Sequence, residues 1–295
     1  MQAWARATVA TTALGAACIA YGAGYEVRSY RLRRVEAPVL PIGQPPLRVL
    51  HLSDLHLTPG QKRKVEWVRR LDALNPDVVV VTGDFLSHRD AVPTVLEALD
   101  PLLARPGLFV FGSNDYYAPS LKNPAKYLMP DDGRRVLGTE LPWRDLQSGL
   151  AQAGWNDLSN SRTTFTVDGR LWDVRGVDDP HIKRDRYADV SGTFNSEADL
   201  AVGVVHAPYL RVLDAMRDDG ADLVLAGHTH GGQLAIPGFG ALVTNCDLDR
   251  KRAKGLHRHG AAYLHVSAGL GTSPFAPIRF ACPPEATLIT LTALG

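Results

Sequence analysis

The chain has 295 residues, 45% of them hydrophobic, enough for one large domain or two small ones with a substantial core. A net charge of +1 gives no argument for a nucleic-acid partner. Cys18, Cys246 and Cys282, odd in number and far apart, supply neither a disulfide framework nor the spacing of a cysteine zinc site.

The first 34 residues stand apart. Ala7 to Tyr25 carries no charge, with Arg6 before it and Arg28, Arg31, Arg33 and Arg34 after it. The span is long enough for a transmembrane helix, although rich in Ala, Gly and Thr, and a single-pass N-terminal anchor over residues 1–34 is expected. That reading puts the protein at the cell membrane. The arginines that follow lean the rest of the chain towards the cytoplasmic side. A cleaved signal peptide is the rival, but no small-x-small site precedes the basic stretch. Residues 35–46 read as a proline-rich spacer that cannot be a helix.

From Leu47 to the C-terminus the pattern is that of one α/β domain, 47–295. Leu47–Leu52 reads as a strand, Lys62–Leu74 as a helix and Asp77–Thr82 as a buried strand. Ala91–Ala104 is a helix and Leu108–Phe111 the third strand. This β-α-β-α-β order predicts parallel pairing, with ligands gathered at the carboxyl ends of the strands. Residues 116–142, with Pro119, Pro124, Pro130 and Gly133, read as a long loop beside the site. The second half holds a helix at Trp143–Ala153 and strands at Thr163–Val167, Arg170–Gly176 and Ala198–Val205. A helix at Pro208–Asp218 and a strand at Asp222–Leu225 follow, then strands near Gln233–Ile236, Ala261–Ser267 and Ala286–Leu291.

Five polar motifs sit at strand ends. They are Ser53-Asp54-Leu55-His56, Thr82-Gly83-Asp84, Ser113-Asn114-Asp115, Val205-His206-Ala207 and Gly227-His228-Thr229-His230-Gly231-Gly232. In this order they resemble the calcineurin-like metallophosphoesterases, and specifically a membrane-associated single-domain branch. The resemblance implies a two-sheet β-sandwich flanked by helices, with a dinuclear metal site at the strand ends. Carried over residue by residue, Asp54, His56 and His230 would hold one metal. Asn114, His206 and His228 would hold the other, and Asp84 would bridge. Oxygen and imidazole ligands without thiolate suit two divalent ions of Mn, Fe or Zn. The implied chemistry is attack on phosphorus by a metal-bound hydroxide, between cations roughly 3.5–4 Å apart, with no covalent enzyme intermediate.

The third motif departs from the family's usual Gly-Asn-His-Asp or Gly-Asn-His-Glu, reading Gly112-Ser113-Asn114-Asp115. Matching the glycines makes Ser113 the ligand. Counting from the strand makes Asn114 the ligand, which is preferred because an amide oxygen binds metal better than a neutral hydroxyl. Asp115 then stands where the family's acid histidine stands and is the expected proton donor to the leaving oxygen. Arg134, Arg135, Arg250 and Lys251 are candidates for gripping phosphate. His51 is expected in the core or supporting the site, and His88 and His181 on the surface. Together these lead to a membrane-anchored phosphoester hydrolase acting on phosphodiester or pyrophosphate bonds in lipid-linked or nucleotide substrates. The competing readings are a phosphomonoesterase of soluble substrates, a cyclic-nucleotide phosphodiesterase, and a weakly catalytic metal-binding scaffold at the membrane.

Overall fold

The computed structural model describes residues 2–120 and 135–295. A first sheet contains β1 (Arg31–Leu40), β2 (Leu47–Leu52), β3 (Val78–Thr82), β4 (Gly107–Val110), β5 (Asn156–Asp157) and the last strand, β14 (Glu285–Ala293). Their order is β1-β14-β2-β3-β4-β5. A second sheet contains β6 (Ser161–Val167), β7 (Arg170–Gly176), β8 (Leu200–Val205), β9 (Leu223–Ala226), β12 (Gly255–His259) and β13 (Ala262–Val266), in the order β12-β13-β9-β8-β7-β6. A short hairpin of β10 (Ala235–Ile236) and β11 (Gly240–Ala241) stands outside both. β2, β3 and β4 are mutually parallel, as are β7, β8 and β9.

The pleat sorts the side chains. Leu47, Val49, Val78, Val80, Leu108 and Val110 face the second sheet, where Val174, Val202, Val204, Leu223 and Leu225 meet them. The alternate residues Leu50, Leu52, Val79, Val81 and Phe109 face outward and are covered by helices. Strands buried on both faces read as continuous apolar runs, which is why the four valines of β3 show no polar alternation. Among the described residues the α-helices are α1 (Gln2–Gly24), α2 (Lys62–Arg69), α3 (Val92–Leu99), the single turn α4 (Ser113–Tyr116), α5 (Trp143–Gln152) and α6 (Leu210–Asp218). Residues of α2, α3 and α5 cover the first sheet, and Val212, Leu213 and Met216 of α6 cover the second. The expected two-sheet sandwich flanked by helices is present.

The N-terminal region differs from expectation. Arg31–Leu40 is neither a basic flank nor a spacer, because β1 pairs in parallel with β14 and buries Ala37, Val39 and Leu40. An edge strand tolerates Pro38 because one side of its backbone needs no partner. Its outward arginines and Pro38 hid it in the sequence. Ahead of it, the buried Glu26 accepts hydrogen bonds from the backbone N–H of Ala281 (3.1 Å) and Cys282 (2.6 Å). The first sheet therefore includes residues ahead of Leu47. The expected transmembrane anchor is not shown. Among the described residues no helix is long and apolar enough to cross a membrane. The alanines, glycines and threonines of α1 dilute its hydrophobicity.

Candidate metal centre

Each motif leaves the carboxyl end of a parallel strand, and the backbone then turns sharply. Asp54, His56, Asp84, His228 and His230 all take positive φ, between 43° and 69°. Non-glycine residues pay about 1–3 kcal/mol for such a conformation, and it clusters where function requires it. The turns bring side chains two residues apart to a common point. His56 Nε2 lies 3.2 Å from His230 Nε2 and 3.4 Å from Asp84 Oδ2, and His230 Nε2 lies 3.4 Å from Asp54 Oδ1. One ligand atom from each of Asp54, His56, Asp84 and His230 falls within 4.8 Å of the others.

The second half of the cluster is built from the other sheet. His206 Nε2 is 3.6 Å from Asp84 Oδ2, and the His206 and His228 rings are 5.2 Å apart. Asp84 also receives the backbone N–H of Asn114 on Oδ1 (2.8 Å) and the Asn114 amide nitrogen on Oδ2 (2.7 Å). Asn114, rather than Ser113, is thus the third-motif side chain on the central carboxylate.

Each histidine is oriented by its remote nitrogen. His206 Nδ1 donates to Thr82 O (2.7 Å), His230 Nδ1 to Gly271 O (3.1 Å) and His228 Nε2 to Asn245 O (3.2 Å). His56 Nδ1 pairs with Ser87 Oγ at 2.9 Å. A carbonyl acceptor fixes the proton on one nitrogen and leaves a lone pair on the other, the arrangement a metal-binding imidazole requires.

The residues fit a pair of cations. Asp54 Oδ1 and His206 Nε2 are buried without any hydrogen-bond partner, a costly state that a bound cation relieves. Burial raises the Asp54 carboxyl to about 6 and lowers His56 to about 4 and His228 to about 3, so these rings are neutral at pH 7. At His206 burial pulls downward, but Asp84, Asp179 and Asp54 outweigh it and push the ring up to about 9. A proton there stands where positive charge is wanted.

Asp115 has another role than expected. Its Oδ2 accepts from the N–H of Asp84 and Gly112 (2.8 Å each), and its Oδ1 from Phe85 (2.7 Å) and Leu86 (3.0 Å). The side chain is wholly buried. Burial raises its pKa, to about 8, with Asp84 adding to the shift and the N–H donors opposing it. With both oxygens engaged by backbone N–H groups, this side chain clamps the Asp84 turn to the third motif. These contacts suit a structural role better than that of the expected acid.

Among the phosphate-gripping candidates, Arg135 is at the centre. Its Nε donates to His181 O (2.8 Å) and its Nη2 to the Tyr209 hydroxyl (3.0 Å), while the His181 ring lies 4.3 Å from that of His228. His181 is therefore no plain surface histidine. Arg134 lies outside the described residues. Arg250 and Lys251 are exposed, with the Arg250 guanidinium laid over Phe239. Sequence reasoning placed His181 on the surface and missed Tyr209 and the buried Asp179. The available signal was that Val177-Asp178-Asp179-Pro180-His181 follows a recognised strand, β7, parallel to those carrying the motifs.

A two-sheet sandwich with oxygen and imidazole donors converging at its strand ends defines a metal-dependent phosphoesterase. Comparison with known proteins agrees. Residues 47–232 match the family model for Calcineurin-like phosphoesterase. The chain is 30% identical over 247 residues to "Uncharacterized metallophosphoesterase YkoQ" of Bacillus subtilis (strain 168), covering 82% of each chain. It is 27% identical over 256 residues to "Phosphodiesterase YaeI" of Escherichia coli (strain K12), covering 83% of this chain and 82% of that one. It is 26% identical over 282 residues to "UDP-2,3-diacylglucosamine pyrophosphatase LpxG" of Chlamydia trachomatis serovar D, covering 82% and 83%. The chain belongs to the calcineurin-like phosphoesterase family, hydrolases acting on phosphoester bonds.

Proposed function

We propose that this protein hydrolyses a phosphodiester or pyrophosphate bond in a nucleotide or lipid-linked substrate. Asp54, His56 and His230 would hold one divalent cation and Asn114, His206 and His228 the other, with Asp84 shared; Mn, Fe or Zn suits these donors. The observation that carries this is the convergence of oriented imidazoles on Asp54 and Asp84, with Asp54 Oδ1 and His206 Nε2 buried and unpartnered. Bound cations supply electrostatic stabilisation of a phosphoryl group and an activated water. The chain itself contributes pre-set geometry. Backbone carbonyls hold three of the four rings, the Asp115 clamp holds the Asp84 turn, and Arg135 lies beside His228 on the His181–Tyr209 support.

Arg135 favours a substrate with anionic character beyond the reacting phosphoryl. A guanidinium next to the His206–His228 half can grip the second phosphoryl of a pyrophosphate. The names of two relatives, a phosphodiesterase and a UDP-2,3-diacylglucosamine pyrophosphatase, support the same substrate class. The test is a kcat/KM comparison of the Mn2+-loaded protein on p-nitrophenyl phosphate, bis-p-nitrophenyl phosphate and a UDP-sugar pyrophosphate. Faster hydrolysis of the diester or pyrophosphate is expected, with Arg135→Ala raising KM chiefly for the pyrophosphate. A clear preference for the monoester would overturn the proposal.

A further inference from the structure

We propose that His51 and His265 are positioning residues for the cation subsite of Asp54, His56 and His230. They align Asp54 through a hydrogen-bonded chain running between the two sheets. His51 Nδ1 meets His265 Nδ1 at 2.8 Å, and His51 Nε2 meets Thr82 Oγ1 at 2.9 Å. Thr82 Oγ1 then donates to Ser53 Oγ (2.7 Å), and Ser53 Oγ donates to Asp54 Oδ2 (2.6 Å). All five side chains are fully buried.

The pleat explains why the chain forms. His51 shares the inward face of β2 with Leu47 and Val49, and Thr82 shares the inward face of β3 with Val78 and Val80. On β13, Leu264 and Val266 face outward, leaving His265 on the face towards the first sheet. The donors can be assigned by elimination. Thr82 has one hydroxyl proton, spent on Ser53, so its oxygen accepts from His51 Nε2–H. His51 Nδ1 is then an acceptor, and His265 must donate to it from Nδ1. The remaining His265 Nε2 is bare, and it is buried without a partner. Burial keeps both rings neutral, lowering His51 to about 3 and His265 well below its ordinary value.

Every donor thus points towards Asp54, and such chains polarise along their length. Asp54 Oδ2 receives Ser53 and the His228 N–H (3.0 Å), which leaves Oδ1 alone to face His230. Space for the chain is reserved by Gly227, the first glycine of the last motif. A Cβ there would collide with Ser53 Oγ and lie 2.8 Å from Asp54 Oδ2 and 3.0 Å from Thr82 Oγ1. Two apolar side chains would fill this part of the sandwich without leaving His265 Nε2 unsatisfied. A packing role alone therefore does not account for the pair.

The inference rests on the two-cation reading, and the experiment separates the two. Mn2+ affinity is measured for the full chain by competition with a chelating indicator, in wild type, Ser53→Ala, His51→Leu, His51→Gln and His51→Leu/Ser53→Ala. Loss of a residue that orients a ligand weakens metal binding by about 10–100-fold, and that is expected for Ser53→Ala and His51→Leu. His51→Gln, which keeps an N–H towards Thr82, should recover most of the loss. The double variant should bind no more weakly than the worse single one, because both act through one chain. Unchanged affinity in folded single variants, or losses that add in the double variant, would overturn the positioning role and leave the centre intact. A wild type that binds no Mn2+ would instead remove the centre. Should His51→Leu not fold, Ser53→Ala and the ¹⁵N spectrum of wild type still decide. His51 must be protonated at Nε2 and His265 at Nδ1, and the opposite tautomers would refute the chain.

Discussion

Two aspartates one strand apart show how setting decides role. Asp84 faces His56, His206 and Asn114, whereas Asp115 spends both oxygens on backbone N–H groups. Asp84→Asn should lose both cations and nearly all activity, and full metal content by elemental analysis would contradict the shared-ligand role. Asp115→Asn should destabilise by about 1–3 kcal/mol in urea unfolding, since an amide NH2 would oppose backbone donors. Its activity loss should be equal for nitrophenyl and alkyl esters. A loss confined to poor leaving groups would restore Asp115 as the acid. Protonation sets a further expectation. Without cations the His206 ring stays protonated until about pH 9, and that proton must leave before Nε2 can bind metal. Mn2+ affinity should therefore rise with pH up to about 9 and then level, in titrations at fixed ionic strength.

At the scale of elements, the N-terminal segment belongs to the sandwich. β1 closes the edge of the first sheet, and Glu26 ties the preceding turn to Ala281 and Cys282. Near that point Arg279 donates to the carbonyls of Ala268, Gly269 and Gly271, the last of which also orients His230. Removing Met1–Gly24 should leave a folded domain. Removing Met1–Leu40 should expose β14 and lead to aggregation, read by light scattering, because an open hydrophobic edge recruits other chains. Glu26→Ala strips the buried Cys282 N–H and the part-buried Ala281 N–H of their acceptor and should cost about 1–3 kcal/mol.

Across the whole molecule, the first sheet supplies Asp54, His56, Asp84 and Asn114, and the second supplies His206, His228 and His230. A cation shared between them would hold the sandwich shut. Binding only to the folded state, at a concentration of about 100 times Kd, adds about 2.7 kcal/mol. For a chain of this size that corresponds to about 4 °C in Tm, to be lost on adding a chelator. The difference should vanish in Asp84→Asn, and a chelator-insensitive wild type would argue against cations spanning the sheets.

Local chemistry made much of this legible. Buried valine and leucine runs marked β2, β3, β8 and β9 because both faces of those strands are covered, and His-x-His or Asp-x-His at their ends marked the cluster. Pairing across the chain was invisible. Arg31 finds its partner at Glu285 and His51 finds its own at His265, separations no periodicity encodes. Nor could spacing tell that Asp115 would be saturated by the turn of Asp84, or that His181 would fold back onto His228. Burial and strand parity depend on neighbouring residues and can be read from one sequence. A hydrogen bond between two sheets depends on how those sheets pack, and only the tertiary structure decides it.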